Sequence, residues 1–172
     1  MVPVRTLAAA CAVAATMTAA PVHAADTTAK TQAMGRQDSR VVARERATRA
    51  RASLVRVALS KRSARYVAGA SGPWAFDCSG FTMWVYKRAT GKSLPHYSGA
   101  QMHRAKRVSR KHLMPGDLLF FGPGGSQHVS MYIGKGKMIH ATNPRSGVRV
   151  DSINMGYYRA RFAGAGRIIT TH

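Results

Sequence analysis

Beyond Pro115 the chain reads DLLFFG, HVSMYIG, KMIHAT, GVRVDSI and AGRIITT, five short runs rich in β-branched or aromatic residues and divided by Gly, Pro and Asn. Runs of this length and texture are strands. Ahead of them the period changes. SLVRVALSKRSARY spaces Leu54, Val55, Ala58 and Leu59 at helical intervals, and the Gly-rich AGASGP closes that segment. DCSGFTMWVYKRATG then offers Asp77 as an N-cap, Phe81, Trp84, Val85 and Arg88 along one side, and Gly91 as a C-terminal stop. Cys78 therefore falls in the first turn of a helix. Helices followed by an antiparallel sheet define an α+β fold. The roughly 120 residues from Leu54 onward suffice for one compact core.

The N-terminal stretch has a different character. Arg5 precedes an apolar, small-residue run from Thr6 to Ala20, Pro21 breaks it, and Val22-His23-Ala24 supplies a cut site. This order predicts a secretory signal over residues 1–24, and the run is shorter than the ~20 residues of a membrane span. Residues 25–53 are rich in Ala, Thr, Arg and Gln and poor in large apolar side chains, which predicts a basic arm, disordered or partly helical. Residues 54–172 remain as the globular domain.

With 27 Lys+Arg against 6 Asp+Glu, the chain must meet a polyanion. The signal directs that expectation away from cytoplasmic nucleic acid and toward anionic wall polymers, anionic lipids or shed nucleic acid outside the cell. The chain has 2 cysteines, and Cys11 lies in the signal, so Cys78 is left alone. A disulfide scaffold needs an even set. A lone exported thiol is then incidental, intermolecular or reactive.

A helix N-terminus favours thiolate, and its free N–H groups receive an oxyanion forming beside the sulfur. A nucleophile also needs a base. His103 and His112 sit among Lys and Arg and read as surface; His172 is near the chain end; His96 follows a proline. His128 and His140 lie in expected strands. A three-residue loop Gly134-Lys135-Gly136 would set Ile133 opposite Lys137 and His140 opposite Ser130, so both histidines would share one face. Val129, Met131, Ile133, Ile139 and Ala141 would face the core. A two-residue loop would separate the histidines onto opposite faces. Cys78 is thus the expected nucleophile, His128 the base and His140 the group that orients it.

These motifs, in order, are Tyr66 with Gly69, FDCSGF, GKSLPHYSGAQ, PGDLLFF, HVSMYIGKGKMIHA and GVRV. From Tyr66 to Val150 the chain resembles the NlpC/P60 family of papain-like cell-wall cysteine peptidases. The resemblance implies a helical subdomain carrying the cysteine against an antiparallel sheet carrying the histidines. It gives Cys78, His128 and His140 the catalytic roles. It also matches Tyr66 to a tyrosine facing the cysteine and the substrate, and Asp77 and Ser79 to positions that hold the free amine of a stem peptide in some members. Ala70, His96 and Ser130 depart from the usual Gly, Arg and Gly, with His96 and Ser130 bearing on the groove.

The implied activity is a secreted peptidoglycan endopeptidase cutting a stem-peptide amide, often the γ-D-glutamyl–diamino acid bond, by a thiolate mechanism without metal or cofactor. Rival expectations are an N-acetylmuramoyl-L-alanine amidase, an acyltransferase or a secreted toxin on the same fold, and a non-enzymatic basic protein coating wall polymers. The partners expected are stem peptides and, through the basic arm, anionic wall polymers, with no specific nucleic acid and a monomeric chain.

Overall fold

The computed structural model describes residues 22–170. The apolar run expected to form a secretory signal, and with it Cys11, lies outside the described residues, as does His172.

Helix α1 spans Val22–Leu59. Its residues through Asp38 belong to a unit of their own, exposed where their side chains are described; the second unit begins at Ser39. Within that second unit Ala47, Leu54 and Ala58 are buried in the core, with Ala50 and Val57 packed against it. The helix is continuous across residue 53. Its core contacts begin at Ala47, inside the stretch read from sequence as an arm, because small alanines at helical spacing make the contact. Arg51 reinforces it by donating to the carbonyls of Pro115 (3.2 Å) and Ile169 (2.6 Å). Its guanidinium also lies 3.5 Å from Asp117, a fully buried carboxylate that Arg167 grips at 2.8 and 2.7 Å.

Two short parallel strands, β1 (Arg65–Tyr66) and β2 (Ala75–Phe76), lead into α2 (Cys78–Thr90). Helix α2 begins and ends where the sequence predicts: Asp77 caps it through Gly80 N–H, and Gly91 closes it in the left-handed conformation at φ 73°. Then come α3 (Ser98–Arg104), β3 (Lys106–Val108), β4 (Leu118–Phe121), β5 (His128–Gly134), β6 (Lys137–Ala141), β7 (Val148–Ser152), α4 (Gly156–Arg161) and β8 (Phe162–Arg167). Strands β3 to β8 form one six-stranded sheet in the order β3-β8-β4-β5-β6-β7, every neighbouring pair antiparallel. The layout is α+β. One face of the sheet (Leu118, Phe120, Val129, Met131, Ile139) packs with Phe81 and Val85 of α2 and Leu54 of α1. The other carries a smaller cluster of Leu119, Phe121, Met138 and Ala165 with Tyr158 and Phe162.

Two details differ from the sequence expectation. The last strand is the glycine-rich FAGAGR rather than AGRIITT. Gly166 explains it: a Cβ there would lie 2.4 Å from the Ala105 Cβ and 3.4 Å from the Phe120 ring, so only glycine lets this central strand sit so close. The β5–β6 turn holds two residues rather than three, because Gly134 pairs with Lys137 around Lys135 (φ 51°) and Gly136 (φ 68°). A register shift between Tyr132 and Gly134 absorbs the extra residue, and Met131 still faces Ile139. The bulge restores the pairing that the longer loop was expected to supply.

Among the described residues no helix is long and apolar enough to cross a membrane.

Candidate active site

Asp77 organises the entrance to α2. Its Oδ1 accepts from Gly80 N–H at 2.6 Å and Ser79 Oγ at 3.2 Å, and its Oδ2 accepts from Gly69 N–H at 3.0 Å. His96 brings Nε2 to 2.9 Å of the same carboxylate. Gly80 is fixed by the same crowding: a Cβ would lie 2.2 Å from the Ala70 carbonyl oxygen and 2.9 Å from His96 Nε2. Buried Gln101 of α3 then clamps the turn by donating to the carbonyls of Ser79 (3.0 Å) and Pro95 (2.8 Å) and accepting from Thr82 Oγ1 (2.7 Å). FDCSGF and GKSLPHYSGAQ, 22 residues apart at Ser79 and Gln101, are thus two halves of one support.

The Cys78 sulfur on this support is half-buried and free. Backbone N–H groups of Val129, Ser79 and Cys78 itself point at it, so it sits at the start of β5 beside the residue that follows His128. Burial is nevertheless the larger influence and pushes the thiol up from its ordinary range, with Asp77 adding to the rise. Burial thus opposes the thiolate that the helix end was expected to favour. Tyr66 is delivered by the pairing of β1 with β2, opposite Phe76. Its phenol is also raised, by burial first and then by the charges of Cys78 and Asp77, which places it in their company.

His128 and His140 do share a face. His128 Nε2 lies 2.7 Å from His140 Nδ1. A residue that the sequence reading passed over extends the chain: Asp151 Oδ2 lies 3.1 Å from His140 Nε2. Arg149 grips the other carboxylate oxygen with Nε at 2.9 Å. The register of β6 with β7 sets Arg149 opposite His140 and Asp151 opposite Met138, so all point to one side. Alternation along GVRVDSI could have singled out Asp151, but only knowledge of its partner strand gives it meaning. Tyr158 of α4 covers the pair, its ring 5.1 Å from that of His140 and 6.0 Å from that of His128.

This chain assigns protons. A carboxylate only accepts, so His140 carries its proton on Nε2 and leaves Nδ1 as acceptor. His128 must then donate from Nε2, and its Nδ1 is the bare, basic nitrogen. Burial lowers His128 to about 3, with His140 adding to the effect. His140 is lowered too, by burial first, against the pull of Asp151. Both rings are neutral near pH 7.

A cavity of about 470 Å³ opens beside His128, lined by Gln127, Asn143, Arg149, Tyr157 and Arg161 among others. A larger cavity, about 720 Å³, lies elsewhere, between α1 and the β3 edge.

A helix presenting a cysteine in its first turn to a sheet that carries a histidine pair is the layout of a papain-like cysteine peptidase. Comparison with known proteins narrows that class. Residues 63–167 match the NlpC/P60 family model. The chain is 43% identical over 104 residues to the "Probable endopeptidase p60" of Listeria monocytogenes, covering 60% of this chain and 21% of that protein. It is 42% identical over 106 residues to the "Gamma-D-glutamyl-L-lysine dipeptidyl-peptidase" of Bacillus cereus, covering 59% and 31%. The solved NlpC/p60 domain of the peptidoglycan hydrolase SagA superposes with a TM-score of 0.62 at 34% identity, over 69% of this chain and 98% of that one. The chain belongs to the NlpC/P60 family. It spans less than a third of the length of the two curated relatives.

Proposed function

We propose that the protein is a secreted peptidoglycan endopeptidase that hydrolyses an amide bond within the stem peptide, the γ-D-glutamyl–diamino acid bond first among them. The observation that carries this reading is the Asp151–His140–His128 relay, which leaves one bare imidazole nitrogen on the residue adjoining the N–H that points at Cys78.

As Cys78 Sγ attacks the amide carbonyl carbon, its proton passes to His128 Nδ1. The carbonyl π electrons move onto oxygen, where N–H groups at the α2 N-terminus receive them. His140 and Asp151 hold the imidazolium that forms. Collapse of the tetrahedral intermediate breaks the C–N bond; the amine leaves with the proton from His128, and the acyl group stays on sulfur as a thioester. Water, deprotonated by the same nitrogen, attacks the thioester and returns the thiol and a carboxylic acid. Tyr66 faces the reacting group. Asp77 holds the free amine of the stem; Ser79, whose hydroxyl turns toward Asp77, orients that carboxylate. Anionic wall polymers are further partners of the basic helix ahead of the domain.

The test is the identity of the bond cut. Purified peptidoglycan and a soluble stem peptide are incubated with wild type and with Cys78→Ala, and the products are weighed. Wild type should release fragments severed after D-glutamate, and Cys78→Ala none. Whole stems freed from the sugar would replace this reading with an amidase.

A further inference from the structure

The cavity of about 720 Å³ is lined by Arg44, Arg51, Lys106, Arg107, Arg167 and His112. A cleft of about 300 Å³ beside it shares Lys106 and Arg167 and adds Lys92 and Arg104. Together they make a basic groove along β3, the edge strand at the opposite end of the sheet from β6 and β7, which carry His140 and Asp151.

The charges in this groove are not neutralised from within. The chain has only 6 acidic residues. The four in the second unit are Asp117, paired with Arg51 and Arg167; Glu45, paired with Arg49; Asp151, paired with Arg149; and Asp77 at the α2 N-terminus, and none of them lines the groove. Arg44, Lys92, Arg104, Lys106 and Arg107 are exposed, and none is ion-paired with a carboxylate of the described residues. Like charges crowded along a cleft repel, and an external polyanion relieves that repulsion. Guanidinium forks fit carboxylates and phosphates alike.

We propose that this groove is a second peptidoglycan site, one that binds the carboxylates of neighbouring stem peptides while another stem is cut at Cys78. The proposal rests on the endopeptidase reading above. Its chemistry follows from the bond: a γ-linked glutamyl residue uses its side-chain carboxyl in the chain and leaves its α-carboxylate free, and every stem adds a terminal carboxylate. The substrate is therefore a mesh of spaced anions. A groove at the far edge of the sheet holds one part of that mesh without blocking the cysteine. Anchor and catalytic site on one rigid unit raise the local concentration of cleavable bonds.

The experiment measures pelleting with sacculi stripped of phosphate polymers by acid, at about 0.1 M salt, where exposed charges still act. The Cys78→Ala protein is used for binding so that the mesh stays intact. Lys106→Glu with Arg107→Glu in that background should bind at least about tenfold more weakly, whereas Arg36→Glu with Arg40→Glu, equal in charge but outside the groove, should change binding less than about twofold. With Cys78 present, Lys106→Glu/Arg107→Glu should keep kcat/KM on a soluble stem peptide within about twofold of the parent. Equal losses in the two charge-reversed pairs would mean that binding follows net charge, and would overturn the proposal. So would binding to untreated walls but not to stripped sacculi, which would assign the groove to a phosphate polymer. A parent protein that binds stripped sacculi but leaves the soluble peptide uncut would refute the endopeptidase reading alone.

Discussion

Asp151 Oδ2 stands 3.1 Å from His140 Nε2, and through the His140–His128 contact it decides which nitrogen of His128 is left without a proton. Asp151→Asn tests the relay. Arg149 would draw the amide oxygen, turning the amide NH₂ toward His140 Nε2. Each proton in the chain would then shift, and His128 would present N–H, not a lone pair, to the thiol. The expected result is a fall in kcat of about 10³–10⁴-fold on a soluble stem peptide with KM little changed, the size of effect a wrong tautomer produces in hydrolytic triads. A loss confined to KM would mean that Asp151 serves substrate binding instead.

The pH profile follows from burial. In the proposed mechanism neutral His128 is the active form, and burial depresses its pKa to about 3 from 6.5, so activity should be kept as pH falls through 6.5 and be lost only well below it. Cys78 is raised above its ordinary 9.0, so the alkaline limb also moves outward. A thiolate paired with neutral imidazole has lost the proton that the leaving amine requires. The kcat/KM of the soluble peptide should be level between these limits. An acid limb at or above pH 6.5 would contradict the assignment of neutral resting groups.

Helix α1 runs from the first unit, which ends at Asp38, into the second, where Ala47, Leu54 and Ala58 join the core. Deletion of residues 25–38 should leave Tm and soluble-peptide turnover unchanged. Deletion of 25–53 removes Ala47 and Arg51 from their contacts and should lower Tm by at least about 5 °C. The same joint is probed by Asp117→Ala, which strips partners from two partly buried guanidinium groups and should cost about 3–5 kcal/mol in denaturant unfolding. If both deletions leave Tm alike, the contacts of Arg51 do not hold the domain together.

Much of the candidate site's framework is legible in the sequence because it rests on local signals. Asp77 and Gly91 bracket α2 by capping chemistry, and alternation in HVSMYIG and KMIHA separates the histidine face from the Val129–Met131 face. What escapes depends on partners distant along the chain. Asp151 gains a role only through the β6–β7 register, and His96 only by meeting Asp77 across 19 residues. Strand β8 hides because close packing against Ala105 demands glycine where β-propensity would favour Ile168 and Ile169. The β5–β6 turn hides a positive φ at Lys135, a residue that carries no turn signal. The upward push on the Cys78 thiol could not be read from helix position alone, since it comes from burial.

The central claim is that Cys78 attacks the stem peptide with His128 as its base, and an electrophilic peptide tests it most directly. A stem-peptide analogue ending in an acyloxymethyl ketone at the D-glutamyl position is incubated with the protein, and the adduct is located by mass spectrometry of the digested chain. One equivalent should add at Cys78 with complete loss of hydrolysis, and His128→Ala should slow the addition by about 10²-fold or more. An adduct on any other residue, or peptide hydrolysis that survives Cys78→Ala, would contradict the account.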